Sequence, residues 1–308
     1  HLIKIGVRWQ AYGKLSSRCG VGCLKRDDGS VTNDPKEKAE LLNEYFASVF
    51  TVDDGYCPVL PRRVANGEGL SSVSFPHHVI LKKLRNLKLG TAAGPDGFQA
   101  ILLSKASDSL ALPLAQLYEF LFSLSYVPAE WKLATVTPIF KKGKSCDVGN
   151  YRPISLISLC CKVMESVIKD DIVAYLFSKG LISRHQHGFL ARRSTGTQLI
   201  DCLNDWTLNT EHKQSLDVIY IDFAKAFDSV VHCKLISKLT SYGITGNLLC
   251  WICSFLTDRH QCVIIDGFSS STCRVFSGVP QGSVLGPILF IVYINDVCDI
   301  VVGNTACK

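Results

Sequence analysis

LDVIYIDFAKAFD, residues 216–228, joins an apolar, β-branched run to an acid and then to a turn. The run from Leu216 to Asp222 has the composition of a strand, and it delivers Asp222 to the strand's end. A carboxylate there is held rigidly by a sheet yet open to a cleft, as a metal-dependent phosphoryl-transfer site requires. The plainer alternative is a turn or helix-capping aspartate, and spacing alone does not choose between them. Outward from this stretch the pattern is mixed. Asp34-Pro-Lys-Glu37 opens a helix: Asp34 caps, Pro35 takes the first helical position and Glu37 has capping-box spacing, with apolar periodicity to about residue 50. Residues 51–73 are rich in Gly, Pro and Ser and read as a linker. Helices are expected from His78 to Leu89, from Ser107 or Asp108 to about Tyr126, from about Leu156 to Lys179, from Ser194 or Thr195 to about Asn209, and near 231–242 and 246–257. Leu133–Phe140 reads as a strand, followed by a polar loop from Lys141 to Asn150. Runs near 261–266 and 272–276 form a hairpin, and a last helix is expected from near Gln281 to about Asn295. Strands and helices do not alternate regularly, which predicts an α+β fold.

The chain has 308 residues, 47% hydrophobic and 19% charged, enough to bury a sizeable core and too apolar for a disordered chain. At roughly 150 residues per domain the length suggests about two domains. The longest charge-free run, Val275–Asn295, is long enough to cross a bilayer, but Pro280 and Pro287 interrupt it, so no membrane span is expected. Lys4, Arg8, Lys14 and Arg18 break up any signal-peptide pattern. The 14 cysteines are scattered rather than arranged as a disulfide framework, which points to a reducing compartment. Cys250 and Cys253 share a helical face and read as buried thiols; with His260 and Cys262 they fit no usual zinc spacing. Net charge is +6, and the segment from Lys82 to Lys162 carries eleven Lys/Arg against five Asp/Glu, a difference of +6. Such a segment suits a polyphosphate partner or is an ordinary lysine-rich surface.

Two further stretches bear on chemistry. SGVPQGSVLGP, residues 277–287, is a Gly-rich loop opening an apolar helix, which suits close backbone approach to a phosphate or nucleotide. It lacks the Gly-Lys-Ser/Thr of a Walker loop. Lys141, Lys142 and Lys144, with Arg152 in NYRPIS, are placed to close on a triphosphate or are simply solvated.

Taken together the chain resembles the reverse transcriptase domain of non-LTR (LINE-type) retrotransposons, in particular the jockey and chicken-repeat groups. The resemblance is carried by GPDG at 94–97, TPIFKKGKSCDVGNYRPISL at 137–156, QHGFLARRSTGTQL at 186–199, IDFAKAFDSV at 221–230 and SGVPQGSVLGPILFIVYINDV at 277–297, with KAELLNEYFASVF at 38–50 ahead of them. Five motifs in order make it specific. It implies a right-hand polymerase fold: an N-terminal extension over 1–75, fingers over 76–214 and part of a palm over 215–308. It implies that Asp222 and the backbone carbonyl of Phe223 bind metal, that Phe227 blocks a ribose 2′-hydroxyl, and that Gln281 and Gly282 pack against the incoming dNTP. Arg152 would grip the triphosphate with Lys141 or Lys142 as its companion. Gly94, Asp96, Gly97, Arg192 and Arg193 would lie near template-primer, and Asp228 would be structural, as a cap of the next helix. The implied reaction is RNA-directed DNA synthesis with Mg²⁺ as a two-metal cofactor, an RNA template, a DNA primer and dNTP as partners, no membrane, and an intracellular setting in cytoplasm and/or nucleus.

The departure is in the acids. The family's second acidic motif, Phe/Tyr-Ala-Asp-Asp, has no counterpart here: the Asp-Asp pairs are Asp27-Asp28, Asp53-Asp54 and Asp170-Asp171, all upstream of Asp222. The expectation is a chain cut before that motif and before the thumb, inactive alone. A non-catalytic nucleic-acid-binding remnant of a retroelement is the alternative of a different class, and a maturase-type palm polymerase is the third reading.

Overall fold

The computed structural model describes residues 20–65, 67–215, 217–218 and 220–297. Among them the chain runs β1 (Leu24–Lys25), β2 (Val31–Thr32), α1 (Pro35–Ser48), α2 (His77–Arg85), α3 (Ala100–Lys105), α4 (Ser107–Ser123), α5 (Ala129–Lys132), β3 (Leu133–Phe140), β4 (Tyr151–Leu156), α6 (Leu159–Ser178), α7 (Thr195–Glu211), α8 (His232–Ser241), α9 (Gly246–Leu256), β5 (Arg259–Ile265), β6 (Phe268–Ser269), β7 (Cys273–Val275) and α10 (Gly286–Ile294). The fold is α+β, as the irregular order of elements predicted.

α1 starts where its sequence says. The Asp34 carboxylate accepts the Glu37 N–H at 2.8 Å, and Pro35 fills the first turn. Glu37 does not close the box. The Arg26 guanidinium and the Thr32 hydroxyl (2.8 and 2.6 Å) take its carboxylate and hold its pKa down to about 2. Ala39, Leu42 and Phe46 then face Val136, Tyr151, Val263 and Ile265, a small core between α1 and the sheet.

The sheet has the order β4-β3-β5-β6, with β7 also paired to β5. β3 is antiparallel to β4 and parallel to β5, and β5 is antiparallel to β7, the expected hairpin. β3 pairs with β5 only over Leu133–Val136. Pro138, opposite Pro153 of β4, lies beyond that stretch, so its missing N–H costs no ladder bond to β5. β4 was not among the expected strands, and it carries Pro153. It forms because β4 is an edge, where proline is tolerated.

A second, larger core runs without a break from Val73 to Val292 and gathers α2, α4, α6, α8, α9 and α10 around Tyr118, Tyr242, Trp251, Phe255 and Phe290. The segment read as a linker has almost no secondary structure but is not loose. It is strapped across α8: Lys234 pairs with Asp54 at 2.8 Å, the Ser237 hydroxyl donates to the Pro58 carbonyl, and the Arg63 N–H donates to the Ser241 carbonyl at 2.7 Å.

Three expectations are corrected. The described part of 216–222 is not a strand. β-branched residues favour an extended chain, but a strand needs a neighbour to take its N–H and C=O groups, and no strand of the described residues pairs with this run. Leu216 and Ile219 lie outside the described residues. The last helix begins at Gly286, not near Gln281. A start at Gln281 would put Pro287 in the helix interior, whereas the observed start leaves it in the first turn. Finally, Cys250 is exposed and Cys253 half-buried, because α9 turns Leu248, Trp251, Ile252, Phe255 and Leu256 inward instead.

Candidate nucleotide-binding site

The loop Ser277–Leu285 is the pivot of the site, and three elements hold it. On one side it is laced to the segment after Asp222. The Gly278 N–H donates to the Val230 carbonyl at 2.7 Å and the Val279 N–H to that of Phe227 at 2.8 Å, while the Ser277 hydroxyl reaches the Asp228 carbonyl at 2.6 Å. On the other side it lies against β4: the Ser155 N–H donates to the Gln281 carbonyl at 2.7 Å. Gly282, at φ +119°, sits so near that a Cβ would stand 2.4 Å from the Ser155 carbonyl oxygen. A side chain is therefore excluded by space and by backbone conformation together. From below, Glu165 of α6, with 0% exposure, accepts the N–H groups of Val284 and Leu285 at 2.8 and 3.0 Å. These are donors that the start of α10 leaves without helical partners.

Side chains from the separate motifs converge on Asp228. The Gln281 amide nitrogen donates to both its oxygens, at 2.7 and 2.9 Å. Burial pushes the Asp228 carboxyl above its ordinary pKa, against the opposing pull of Gln281, Lys141 and Lys225. Asp228 does not cap α8, as had been expected, since the residue at that position is Val231, with no side-chain cap. Lys141 ends up beside Arg152, and burial first, then that guanidinium, lower its pKa. Lys141, Lys142 and Lys144 are all exposed to solvent over much of their surface. Lys225 places its ammonium 4.7 Å from the centre of the Tyr45 ring, a cation–π contact. Phe227 is pinned, stacked on Phe290 at 4.7 Å and edge-on to Phe189 at 5.8 Å.

Asp222 and Phe223 are exposed, at the start of the turn that leads to Asp228. The family uses divalent metal ions, and a two-metal site needs several carboxylates. Among the described residues no group of three or more His, Cys, Asp or Glu could hold a metal. Asp222 is an exposed carboxylate outside any such group.

The residues expected near template-primer are dispersed in role. Gly94 is a packing glycine, whose Cβ would stand 2.5 Å from the Ile157 carbonyl carbon. Asp96 accepts the Phe98 N–H at 3.3 Å, and Gly97, at φ +70°, faces open space. Arg192 is exposed with φ +63°. Arg193 turns inward and donates to the carbonyls of Ser183 and Arg184 at 3.4 and 2.9 Å and to that of Gln186.

Sequence reasoning missed Glu165, Lys225 and Arg259. Arg259 is 3% exposed; its guanidinium lies over the Phe255 ring at 5.0 Å and donates to the Phe255 carbonyl at 3.0 Å. The signals were present. A lone Glu in the apolar run VMESVI and an Arg on the inward parity of β5 are both charges where the pattern asks for apolar residues.

A mixed sheet with a glycine loop bound to its edge thus stands beside Lys141, Arg152 and Lys225. The family model described as reverse transcriptase (RNA-dependent DNA polymerase) matches residues 139–305, and the chain belongs to that family. It is 32% identical over 280 residues to the RNA-directed DNA polymerase from mobile element jockey of Drosophila melanogaster, covering 89% of this chain and 30% of that protein. It is 30% identical over 224 residues to the probable RNA-directed DNA polymerase from transposon BS of the same fly, covering 70% and 24%. It is 32% identical over 186 residues to that from transposon X-element, covering 60% and 20%. The chain thus spans less than a third of the length of these relatives. Among the described residues no helix is long and apolar enough to cross a membrane.

Proposed function

We propose that the chain supplies the fingers and palm portions of a non-LTR retrotransposon reverse transcriptase and holds the dNTP for RNA-templated DNA synthesis. The observation that carries this reading is the meeting of three motifs at one carboxylate: Gln281 bonded to Asp228, with Lys141, Arg152 and Lys225 close enough to act on one another's charge. In this reading Lys141 is the companion of Arg152 on the triphosphate. Phe227, held by Phe290 and Phe189, stands under the sugar and leaves no room for a 2′-oxygen, and Gln281 and Gly282 line the base side. Asp222, with the Phe223 carbonyl, is one ligand of the Mg²⁺ site; bound Mg²⁺ would lower the charge cost of phosphoryl transfer. Residues 1–75, 76–214 and 215–308 act as extension, fingers and palm. These are regions of function rather than of packing, since one core spans the last two. The partners are an RNA template and DNA primer, with Gly94, Asp96, Gly97 and Arg192 toward the nucleic acid, and the setting is the cytoplasm and/or nucleus.

The test is binding of a fluorescent RNA–DNA template-primer by the purified chain over a salt series. Affinity should fall linearly on a log–log plot, with a slope of about −0.7 to −0.9 per phosphate neutralised. Affinity that is absent at low salt, or unchanged between low and high salt, would count against the reading.

A further inference from the structure

We propose that Asp228 is a positioning residue for nucleotide binding, acting through Gln281. The inference rests on the nucleotide site described above and goes a step beyond it. A glutamine side chain has several rotatable bonds and an amide that can present either end. A carboxylate only accepts, so it fixes which end faces it. Here both Asp228 oxygens take the Gln281 nitrogen, at 2.7 and 2.9 Å, which commits the N–H₂ inward and leaves the carbonyl oxygen for another donor. The clasp is itself fixed. The Asp228 carbonyl accepts the Ser277 hydroxyl, and Gly278 has no room for a Cβ, which would stand 2.9 Å from the Asp228 Cα.

Asp228 also stands near Lys141 and Lys225. A carboxylate facing a triphosphate would repel it. Turned toward Gln281 by both oxygens, Asp228 offsets the mutual repulsion of Lys141 and Lys225. The residue therefore ties the loop, the finger lysine and the Asp222 segment into one arrangement before a nucleotide arrives, which is how binding energy is kept from being lost to ordering.

The experiment is a double-mutant cycle on the intact chain, with dGTP affinity measured by calorimetry for wild type, Asp228→Ala, Gln281→Ala and the double variant. Each single change should weaken binding about tenfold, and the double should be no weaker than Gln281→Ala alone. Asp228→Asn is the second variant, because it keeps the shape but loses the fixed choice of amide end. It should bind about threefold or more weakly with its melting temperature unchanged. Additive losses in the cycle, or wild-type affinity in both Asp228 variants, would overturn the positioning role while leaving the nucleotide site standing. Wild type that fails to bind dGTP at all would overturn the nucleotide reading, and this inference with it.

Discussion

Glu165 and Leu285 meet across the core, carboxylate oxygen to backbone nitrogen, at 3.0 Å. Val284 shares the same oxygen, so one buried acid anchors the turn that leads out of the Pro-Gln-Gly loop. Removing it leaves two buried donors without partners. Glu165→Ala should cost about 3 kcal/mol in urea unfolding, and Glu165→Gln, which keeps an accepting oxygen, about 1 kcal/mol.

The same residue sets a pH dependence. Burial raises the Glu165 carboxyl above its ordinary pKa, more than the Leu285 and Val284 N–H groups and Arg259 lower it. A raised native pKa means that the folded chain holds this proton more tightly than the unfolded one. The resulting stabilisation is complete below the unfolded value, about 4.3, and is lost as pH rises through the native value. Wild type should therefore lose stability relative to Glu165→Gln on going up from about pH 4. Urea midpoints of the two proteins that stay parallel from acid to neutral pH would refute this.

Gly282 and Gly97 separate strain from collision. Both have positive φ, but a Cβ on Gly97 meets nothing within 4 Å, whereas one on Gly282 strikes the Ser155 carbonyl. Gly97→Ala should cost about 1 kcal/mol, the conformational penalty alone. Gly282→Ala should cost about 2–3 kcal/mol and weaken dNTP binding, because the loop must leave β4. Equal costs for the two would show that the Gly282 contact is soft.

Lys141 and Lys142 are adjacent in sequence but not in surroundings. Both are exposed, but Lys141 feels the charges of Arg152 and Asp228. Lys141→Met should weaken dNTP binding about tenfold, and Lys142→Met by less than about twofold. A fluorescence titration of both variants decides, and the reverse order would move the companion role to Lys142.

Phe290 does not belong to the sugar contact, yet its ring stacks on Phe227 at 4.7 Å. Phe290→Ala should unpin Phe227 and raise relative affinity for GTP over dGTP, along with a stability loss of about 3 kcal/mol. Stability loss with discrimination unchanged would show that Phe227 keeps its place unaided.

Much of this was legible in the chain. β3 falls on LATVTPIF from end to end, and α8, α9 and the β5–β7 hairpin lie where periodicity and turn residues put them. What escaped depends on distant partners. β4 needed an edge to excuse Pro153, and the turn into α10 finds its carboxylate partner in Glu165, more than a hundred residues away. The run before Asp222 has the propensity of a strand and lacks a neighbour among the described residues. Within the site, motif order brought Asp228 and Gln281 to notice separately. Nothing local to either says that they bond to each other.

The Pro-Gln-Gly loop is also a lid on a sheet. Among the described residues β4 is a terminal strand, and the Ser155 N–H, which would otherwise be open to a strand of another molecule, is taken by Gln281. Exposed strand edges are templates for pairing between chains. The backbone proposed to pack against the nucleotide thus also closes part of a sheet edge. A variant whose loop drifts from β4 should announce itself by light scattering, as self-association, before any loss of affinity is measured.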